Sequence, residues 1–577
     1  MTKKLFPFIS KYKWVALLSP ICIIIEIVLE MSIPFLMSRL VDIGVVNKDL
    51  EYVARYGAVM VIFAFFSLLA GIGAAYSASI ASIGFGSELR YAMYEKIQKL
   101  SFNNIDKFNT SSLLTRINTD ITNIQSSFMT LLRVCTRAPV LITVGLLFSN
   151  NVSSSLMKVL LIAIPLIVIC VIAISTISYP RFRIMLIKID NMNRVIKENL
   201  VSSRLIKVLV RQDYEKKKFN VANEDITNAT IKAERVSLVS TPLMNLVMYL
   251  CIVGVLWVGS QQVISQKIGT GELMSIISYI SQMLVSLMLF STSIVSLIAS
   301  RASVSRVLEI LDEEVDIISE VDSIFDIVDG TIEFKNVSFS YSKCSKEYEL
   351  KNASFKINSG EAFGIVGKTG SSKTTLVQLI PRLYDVCDGA VFVSGVNVKK
   401  YNLKSLRDNV SVVLQKNTLI SGTVEENLRW GNQNASMEEI VKATKAAQCY
   451  DFIMDKEDGF NSRVEQGGKN FSGGQRQRLC IARALLKKPK IIIFDDSTSA
   501  IDVATEKLLQ NSLNEYYSTV TKIVIAQRIR SVINMDKIIV LNDGQVDQIG
   551  THQELLDSNE IYKQIYYSQN ERNDDVS

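Results

Sequence analysis

The run Gly364-Ile365-Val366-Gly367-Lys368-Thr369-Gly370-Ser371-Ser372-Lys373-Thr374-Thr375 has the composition of a phosphate cradle. A glycine-bearing loop between a strand and a helix turns backbone N–H groups toward an anion, and the helix N-terminus adds partial positive charge. On this reading Gly367, Lys368, Thr369, Gly370, Ser371, Ser372 and Thr375 line the loop. Lys373 reaches the β and γ phosphates of a nucleotide, and Thr374 offers its hydroxyl to Mg²⁺. The strict pattern GxxxxGK[ST] has glycine where this chain has Ser372, which predicts a slightly crowded cradle. Downstream, KPKIIIFDDSTSAID sets Asp495 at the end of an apolar strand, where its carboxylate joins the Mg²⁺ shell. The chain has one histidine, His552, so a Ser-His-Asp or Cys-His machine is excluded unless that residue carries it, and a multi-histidine metal site is excluded outright. His552 itself lies in GTHQELL and reads as a surface or loop residue. Eight cysteines without a CxxC pair speak against zinc and against a disulfide framework.

Two different materials hold these residues. The 577 residues are 48% hydrophobic and 21% charged, with a mean hydropathy of +0.25, too long for one domain and too apolar for a wholly soluble one. Six apolar stretches, near 14–40, 56–84, 129–149, 156–179, 240–264 and 272–299, are each long enough to cross a hydrocarbon core. The opening MTKKLFPFISKYKW, with four lysines and no small-residue cleavage site, reads as an amphipathic entry helix with a cytoplasmic N-terminus. The stretches after spans two and four are long, helical in pattern and rich in Lys and Arg, which places them in the cytoplasm. Basic residues at membrane edges account for the net charge of +7, and no nucleic-acid partner is expected. Past Gly330 the texture changes: TIEFKNVSFSY alternates as a strand, and FGIVG, KIIIFDD and TKIVIA are apolar strands between helical patterns, which argues a soluble α/β domain. The expected division is a transmembrane domain over 1–310, a linker over 311–330, the α/β domain over 331–565 and a disordered tail over 566–577.

Between the cradle and Asp495 lies FSGGQRQRLCIARALL, in which Ser472, Gly473, Gly474 and Gln475 open a helix. These three motifs, in this order, resemble the nucleotide-binding domain of an ABC transporter. With six spans ahead of that domain, the whole chain is similar to the half-transporter layout of ABC exporters of the type IV fold: an α-helical six-span transmembrane domain followed by an α/β P-loop ATPase domain. The resemblance implies ATP and Mg²⁺ as cofactors and gives further residues a role. Tyr341, in FSY, resembles the aromatic that stacks on adenine. Gln415, in VVLQKN, resembles the glutamine that touches Mg²⁺ and faces the membrane domain. Ser472, Gly473, Gly474 and Gln475 resemble the signature motif that caps the γ-phosphate of ATP held by the opposite subunit, and Ser499, Ala500, Ile501 and Asp502 resemble the D-loop. FNTSSLLTRINTD and RLIKVLVRQDYEKKKF resemble the cytoplasmic segments that bear the coupling helices.

Two further departures from the family pattern bear on catalysis. The position after Asp495, normally Glu and the general base, is Asp496, one methylene shorter. The switch position, normally His, is Gln527, which can hydrogen-bond a phosphate but cannot take up a proton at working pH. The signature and Asp502 are intact. The resemblance therefore implies one half of a heterodimeric exporter, with a degenerate ATP site on this chain and a partner half carrying Glu and His. The alternatives are a homodimer that uses Asp496 as base, and an ATP-gated channel or regulatory subunit. In the membrane part Glu26 and Glu30, one turn apart in the first span, lie at a depth comparable to Arg133 and Arg137 in the third. They read as a structural clamp, or else as the lining of a cavity for charged or amphipathic cargo. No leader or protease segment is expected ahead of the first span, which favours drugs, lipids or lipid-like amphiphiles as cargo and a multi-pass location in a bacterial plasma membrane.

Overall fold

The computed structural model describes the backbone over residues 2–342, 347–497 and 501–574, and most side chains within those ranges. It divides into two compact units: Met1–Gln98 with Thr110–Glu313, and Lys99–Asn109 with Glu314–Ser577.

The first unit is built of long helices, Lys13–Arg39, Leu50–Lys99, Ile121–Val152, Ser154–Val201, Gln212–Ile264 and Thr270–Asp312. Among the described residues, five helical stretches are long and apolar enough to cross a membrane. The expected span over 156–179 falls on the helix Ser154–Val201, where many side chains lie outside the described set. Apolar side chains face outward: in Leu50–Lys99, Ile62, Phe65, Phe66 and Leu68 are more than half exposed, whereas Ala74, Ala78, Ala81 and Gly84 turn inward. Large outside and small inside is what lipid rewards, because tails solvate leucine as well as protein does and helices gain only from close approach. The entry segment is a helix over Thr2–Ile9, with Lys4 paired to Asp312 at 2.8 Å and Lys11 to Glu88 at 2.6 Å. Asp42 accepts hydrogen bonds from the backbone N–H of Gly271 (2.7 Å) and Glu272 (3.0 Å), satisfying donors that the start of Thr270–Asp312 would otherwise leave open.

The second unit has a six-stranded sheet in the order Gln545–Gly550, Lys537–Asn542, Ala362–Gly367, Thr521–Ile525, Ile491–Asp495, Val410–Val413. All neighbours are parallel except the first pair. Strands Ile491–Asp495 and Thr521–Ile525 are buried at every position, as suits largely apolar strands covered on both faces, with Asp495, Thr521 and Lys522 their buried polar members. A four-stranded antiparallel sheet, Leu350–Ile357, Ile332–Phe339, Asp388–Val393, Val396–Asn397, packs on one side with Phe334 and Phe355 stacked at 4.5 Å. The helices Met437–Ala446 and Gly473–Leu486 pack over one face of the six-stranded sheet, in a core that joins Ile440, Leu479 and Ile481 to the strand residues Ile492, Phe494 and Val524.

Three boundaries differ from expectation. Residues 99–109, expected within the transmembrane domain, belong to the second unit, as does 314–330, expected as a linker. The reason is specific bonding: Asp316 accepts from Ser101 (2.9 Å) and Asn103 (2.6 Å), and Tyr384 donates to Asp106 (2.6 Å). The short helix of this segment is Phe102–Lys107, just ahead of the first stretch singled out in the sequence; a second short helix, Thr110–Thr115, lies inside that stretch, and Ser203–Val208 begins one residue ahead of the other and runs into it. The supposed disordered tail is instead helix Glu560–Asp574, held by the fully buried Tyr562. His552, expected on the surface or in a loop, opens helix His552–Ser558 and is half-buried, its Nδ1 2.7 Å from the Tyr562 hydroxyl; burial lowers its pKa.

Candidate functional site

Parallel strands end together, so whatever follows each strand is gathered along one edge of the sheet. Here that edge collects the loop after Ala362–Gly367, Gln527 two residues past Thr521–Ile525, Asp496 one past Ile491–Asp495, and Gln415 two past Val410–Val413. Strand order then decides the neighbours. Ile491–Asp495 lies between the other two, so Asp496 is flanked from both sides: Gln527 Nε2 donates to its Oδ2 at 2.6 Å and Gln415 Nε2 at 3.3 Å.

In the cradle, Lys373 opens helix Lys373–Gln378, and its ammonium donates to the carbonyls of Gly367 and Lys368, both at 2.8 Å. Thr374 donates to Asp495 Oδ1 at 2.9 Å, joining the loop to the neighbouring strand end. Gly370 has φ +85°, a conformation that favours glycine. Ser372 has φ 68°, so the departure from the glycine pattern falls where the backbone is left-handed. The strain that predicts is offset by its hydroxyl, which donates to Glu349 O at 2.6 Å, outside the loop. The crowding expected of Ser372 is thus conformational. Asp496 is also left-handed, with φ 46°, which Asp tolerates better than most residues.

The electrostatics are those of a half-dry acidic pocket around one cation. Burial raises the pKa of Asp495, with the nearby Asp496 carboxylate adding to the effect and the Thr374 hydrogen bond opposing it. Burial also raises that of Asp496, against its bonds from Gln415 and Gln527 and the charges of Lys373 and Arg528. The Lys373 pKa is lowered by burial, which Asp496 and Asp495 counteract. The Thr374 hydroxyl and the Asp495 carboxylate, 2.9 Å apart, are hard oxygens that could share a Mg²⁺ ion, and the Gln415 amide stands beside the adjacent Asp496.

Tyr341 stands beside the cradle. Its hydroxyl lies 3.0 Å from that of Thr375, and its ring meets those of Phe339 and Tyr384 edge-on at 4.9 and 5.2 Å. The residue is 40% exposed, so surface remains for a flat ligand. Ser472 caps helix Gly473–Leu486 in a capping box: its hydroxyl accepts from Gln475 N, and the Gln475 side chain accepts from Ser472 N at 2.9 Å. Ser472 and Gly473 are exposed, and the motif opens a helix packed on one face of the sheet rather than joining the edge that gathers the cradle. Asp502 caps helix Val503–Tyr516 through Thr505 N (2.9 Å), which lowers its pKa; Ser499 and Ala500 lie outside the described residues. Sequence reasoning missed Tyr384 with Asp106, and Gln569, whose side chain bonds the backbone around Arg528; neither carries a local pattern that would have marked it.

In the first unit Arg137 pairs with Glu26 (2.5 Å) and Glu30 (2.6 Å). Arg133 is exposed and takes no part in that pairing.

Comparison with known proteins gives a consistent result. Residues 16–287 match the family described as "ABC transporter transmembrane region", and residues 350–499 match that described as "ABC transporter". The chain is 35% identical over 567 residues to a Bacillus subtilis protein described as "Uncharacterized ABC transporter ATP-binding protein YfiB", covering 98% of each chain. It is 31% identical over 490 residues to the "Putative multidrug export ATP-binding/permease protein YgaD" of the same organism, covering 84% of this chain and 83% of the relative. It is 29% identical over 577 residues to the "ATP-dependent lipid A-core flippase" of Desulfotalea psychrophila, covering 98% of this chain and 99% of the relative. In fold it is similar to a bacterial Atm1-family ABC exporter with ATP bound, at a TM-score of 0.83 and 22% identity, over 97% of this chain and 99% of the other.

Proposed function

The chain belongs to the ABC transporter family, with a membrane region fused to an ATP-binding domain of exporter-type fold, and from that premise we propose that it is the degenerate-site half of a heterodimeric exporter. The observation that carries the proposal is the trio Gln415–Asp496–Gln527: a short carboxylate takes hydrogen bonds from two neutral amides where a longer base and a histidine are the family pattern. Lys373 neutralises phosphate charge at the cradle and Tyr341 stacks on adenine. Thr374, Asp495 and Gln415 would hold Mg²⁺, which would supply positive charge against the phosphates. The Asp496 carboxylate is drawn back toward Gln527, so it orients water poorly. The turn opened by the exposed Ser472 and Gly473 presents backbone N–H groups to the ATP of a partner that has Glu and His, and turnover is faster there.

Cargo is a hydrophobic or amphiphilic small molecule, exported across a bacterial plasma membrane with the ATP-binding domain on the cytoplasmic side. The Arg137 pairing with Glu26 and Glu30 acts as a clamp between the first and third spans. A change of transport selectivity in Glu30→Gln at unchanged expression would count against that clamp.

The deciding measurement is the ATPase turnover of the full chain purified alone, against the same chain co-purified with a partner from its native membrane. No turnover alone and turnover restored by a second half-transporter supports the proposal. Brisk turnover by the isolated chain means that Asp496 serves as base in a homodimer. Partner-dependent turnover without vectorial, vanadate-sensitive movement of cargo means a channel or regulatory subunit.

A further inference from the structure

The loop that carries Gln527 is held from three directions. Ala526 N donates to Ile365 O in the neighbouring strand at 3.3 Å. The Gln527 side chain donates to Asp496 at 2.6 Å. The third hold comes from far along the chain: Gln569 Nε2 donates to Gln527 O at 2.7 Å, and Gln569 Oε1 accepts from Ile529 N at 2.9 Å. One primary amide thus straddles Arg528 and bonds the backbone on both sides of it, as a neighbouring strand would. The loop leaves the sheet at this point, so no strand supplies those partners.

The helix that presents Gln569 has a firm seat. Tyr562, on the same helix Glu560–Asp574, is fully buried and its backbone N–H is capped by Asn559 at 2.8 Å. Its hydroxyl meets His552 Nδ1 at 2.7 Å, and the Tyr566 ring lies 5.5 Å from the His552 ring. On the other side Ile529, 2% exposed, anchors the loop in the same hydrophobic core that the helix packs against.

We propose that Gln569 is a positioning residue that locks the loop bearing Gln527 in the register where the Gln527 amide faces the terminal phosphate of a bound nucleoside triphosphate, so that the C-terminal helix sets how well this site tells a triphosphate from a diphosphate. The inference rests on the nucleotide-site reading above. It follows from geometry: an amide at the end of a two-atom stem keeps its place only if the backbone beneath it does, and here that backbone is fixed from outside the sheet. A shift of the helix releases the loop and with it the phosphate contact, while the cradle follows a different strand end.

The test uses the full-length chain in lipid nanodiscs with Mg²⁺ and measures dissociation constants for ATP and ADP in the wild type, Gln569→Ala, Gln569→Glu and Gln527→Ala. Gln569→Ala lowers the preference for ATP over ADP by about three- to tenfold, the scale of one to two ordinary hydrogen bonds. ADP affinity stays as in the wild type, and the thermal midpoint of the nucleotide-free chain falls by no more than the loss of two part-exposed hydrogen bonds implies. Gln569→Glu keeps the acceptor for Ile529 N but cannot donate to Gln527 O, and falls between. Equal weakening of ATP and ADP by Gln569→Ala reduces the residue to general structural support and overturns the proposal. A loss of preference in Gln527→Ala but not in Gln569→Ala overturns the clamp and leaves the nucleotide-site reading standing. No change of preference in either variant refutes the assignment of Gln527 to the terminal phosphate, and the clamp with it.

Discussion

Restoring the family's two residues should be strongly non-additive, and the structure gives the reason. Asp496 Oδ2 accepts from Gln527 at 2.6 Å and from Gln415 at 3.3 Å. Asp496→Glu adds a methylene and advances the carboxylate by about 1.5 Å, one carbon–carbon bond. Gln527 leaves no such room at 2.6 Å, so the longer side chain must push the amide aside or bend away from the water it should activate. A hydrogen bond to a charged group contributes about 1.5–3 kcal/mol. The single variant therefore gains reach and loses alignment, and its turnover rises by less than tenfold, whereas a positioned base alone contributes about 10²–10⁴-fold. Gln527→His alone leaves the short base in place and also gains little. In Asp496→Glu with Gln527→His, the imidazole vacates the amide's position, and the coupling between the two changes reaches about 1.5–3 kcal/mol, or roughly 10–150-fold in rate. The assay is steady-state, vanadate-sensitive ATPase turnover of the full chain purified alone in nanodiscs, in a four-member double-mutant cycle. Additive effects, or full activity from Asp496→Glu by itself, would show that Gln527 does not constrain the base position and would refute the reasoning.

Three further outcomes are expected. Arg137→Met strands two carboxylates, and the thermal midpoint falls by the equivalent of about 2 kcal/mol, below the usual cost of breaking a buried pair because a third of the guanidinium side chain is open; adding Glu26→Gln and Glu30→Gln restores most of it, as nanodisc thermal denaturation will show. The Asp495 pKa is raised by burial, so the folded state holds its proton more tightly than the unfolded chain and stability falls as pH rises through that window. Asp495→Asn, which still accepts from Thr374, therefore stabilises the nucleotide-free chain at pH 7–8, and the gain shrinks as the pH is lowered toward the carboxyl's own titration. Ser372→Gly removes about 1 kcal/mol of left-handed strain and loses a hydrogen bond to Glu349 O of similar size, so its midpoint stays near that of the wild type, whereas Ser372→Ala keeps the strain, loses the bond and melts lower.

Much of the site was legible because its parts are local in the chain. The cradle, the apolar strand before Asp495 and the helix opened by Ser472 each occupy one stretch of sequence, and each stretch formed the element its pattern implies. The departures at Ser372, Asp496 and Gln527 were legible too, since they are substitutions in otherwise regular motifs. Boundaries were less so. Residues 99–109 read as part of the long helical cytoplasmic stretch of the transmembrane domain, yet Asp106 and Ser101 bond partners at Tyr384 and Asp316. The last residues read as disordered from their polarity, although Tyr562 is buried and fixes the helix.

Motif chemistry is written in runs of adjacent residues, because a strand, a tight loop and a helix start fix their own geometry over a few positions. The sequence therefore determined on its own that this chain has an apolar helical half, an α/β half, a glycine-bearing loop between strand and helix and a carboxylate at the end of an apolar strand. Which neutral amides flank Asp496, that one arginine rather than two serves both Glu26 and Glu30, and that Gln569 braces the loop of Gln527 were decided only by the tertiary structure. Strand order and helix seating bring together side chains far apart in the chain, and no local periodicity records which distant residue will stand opposite.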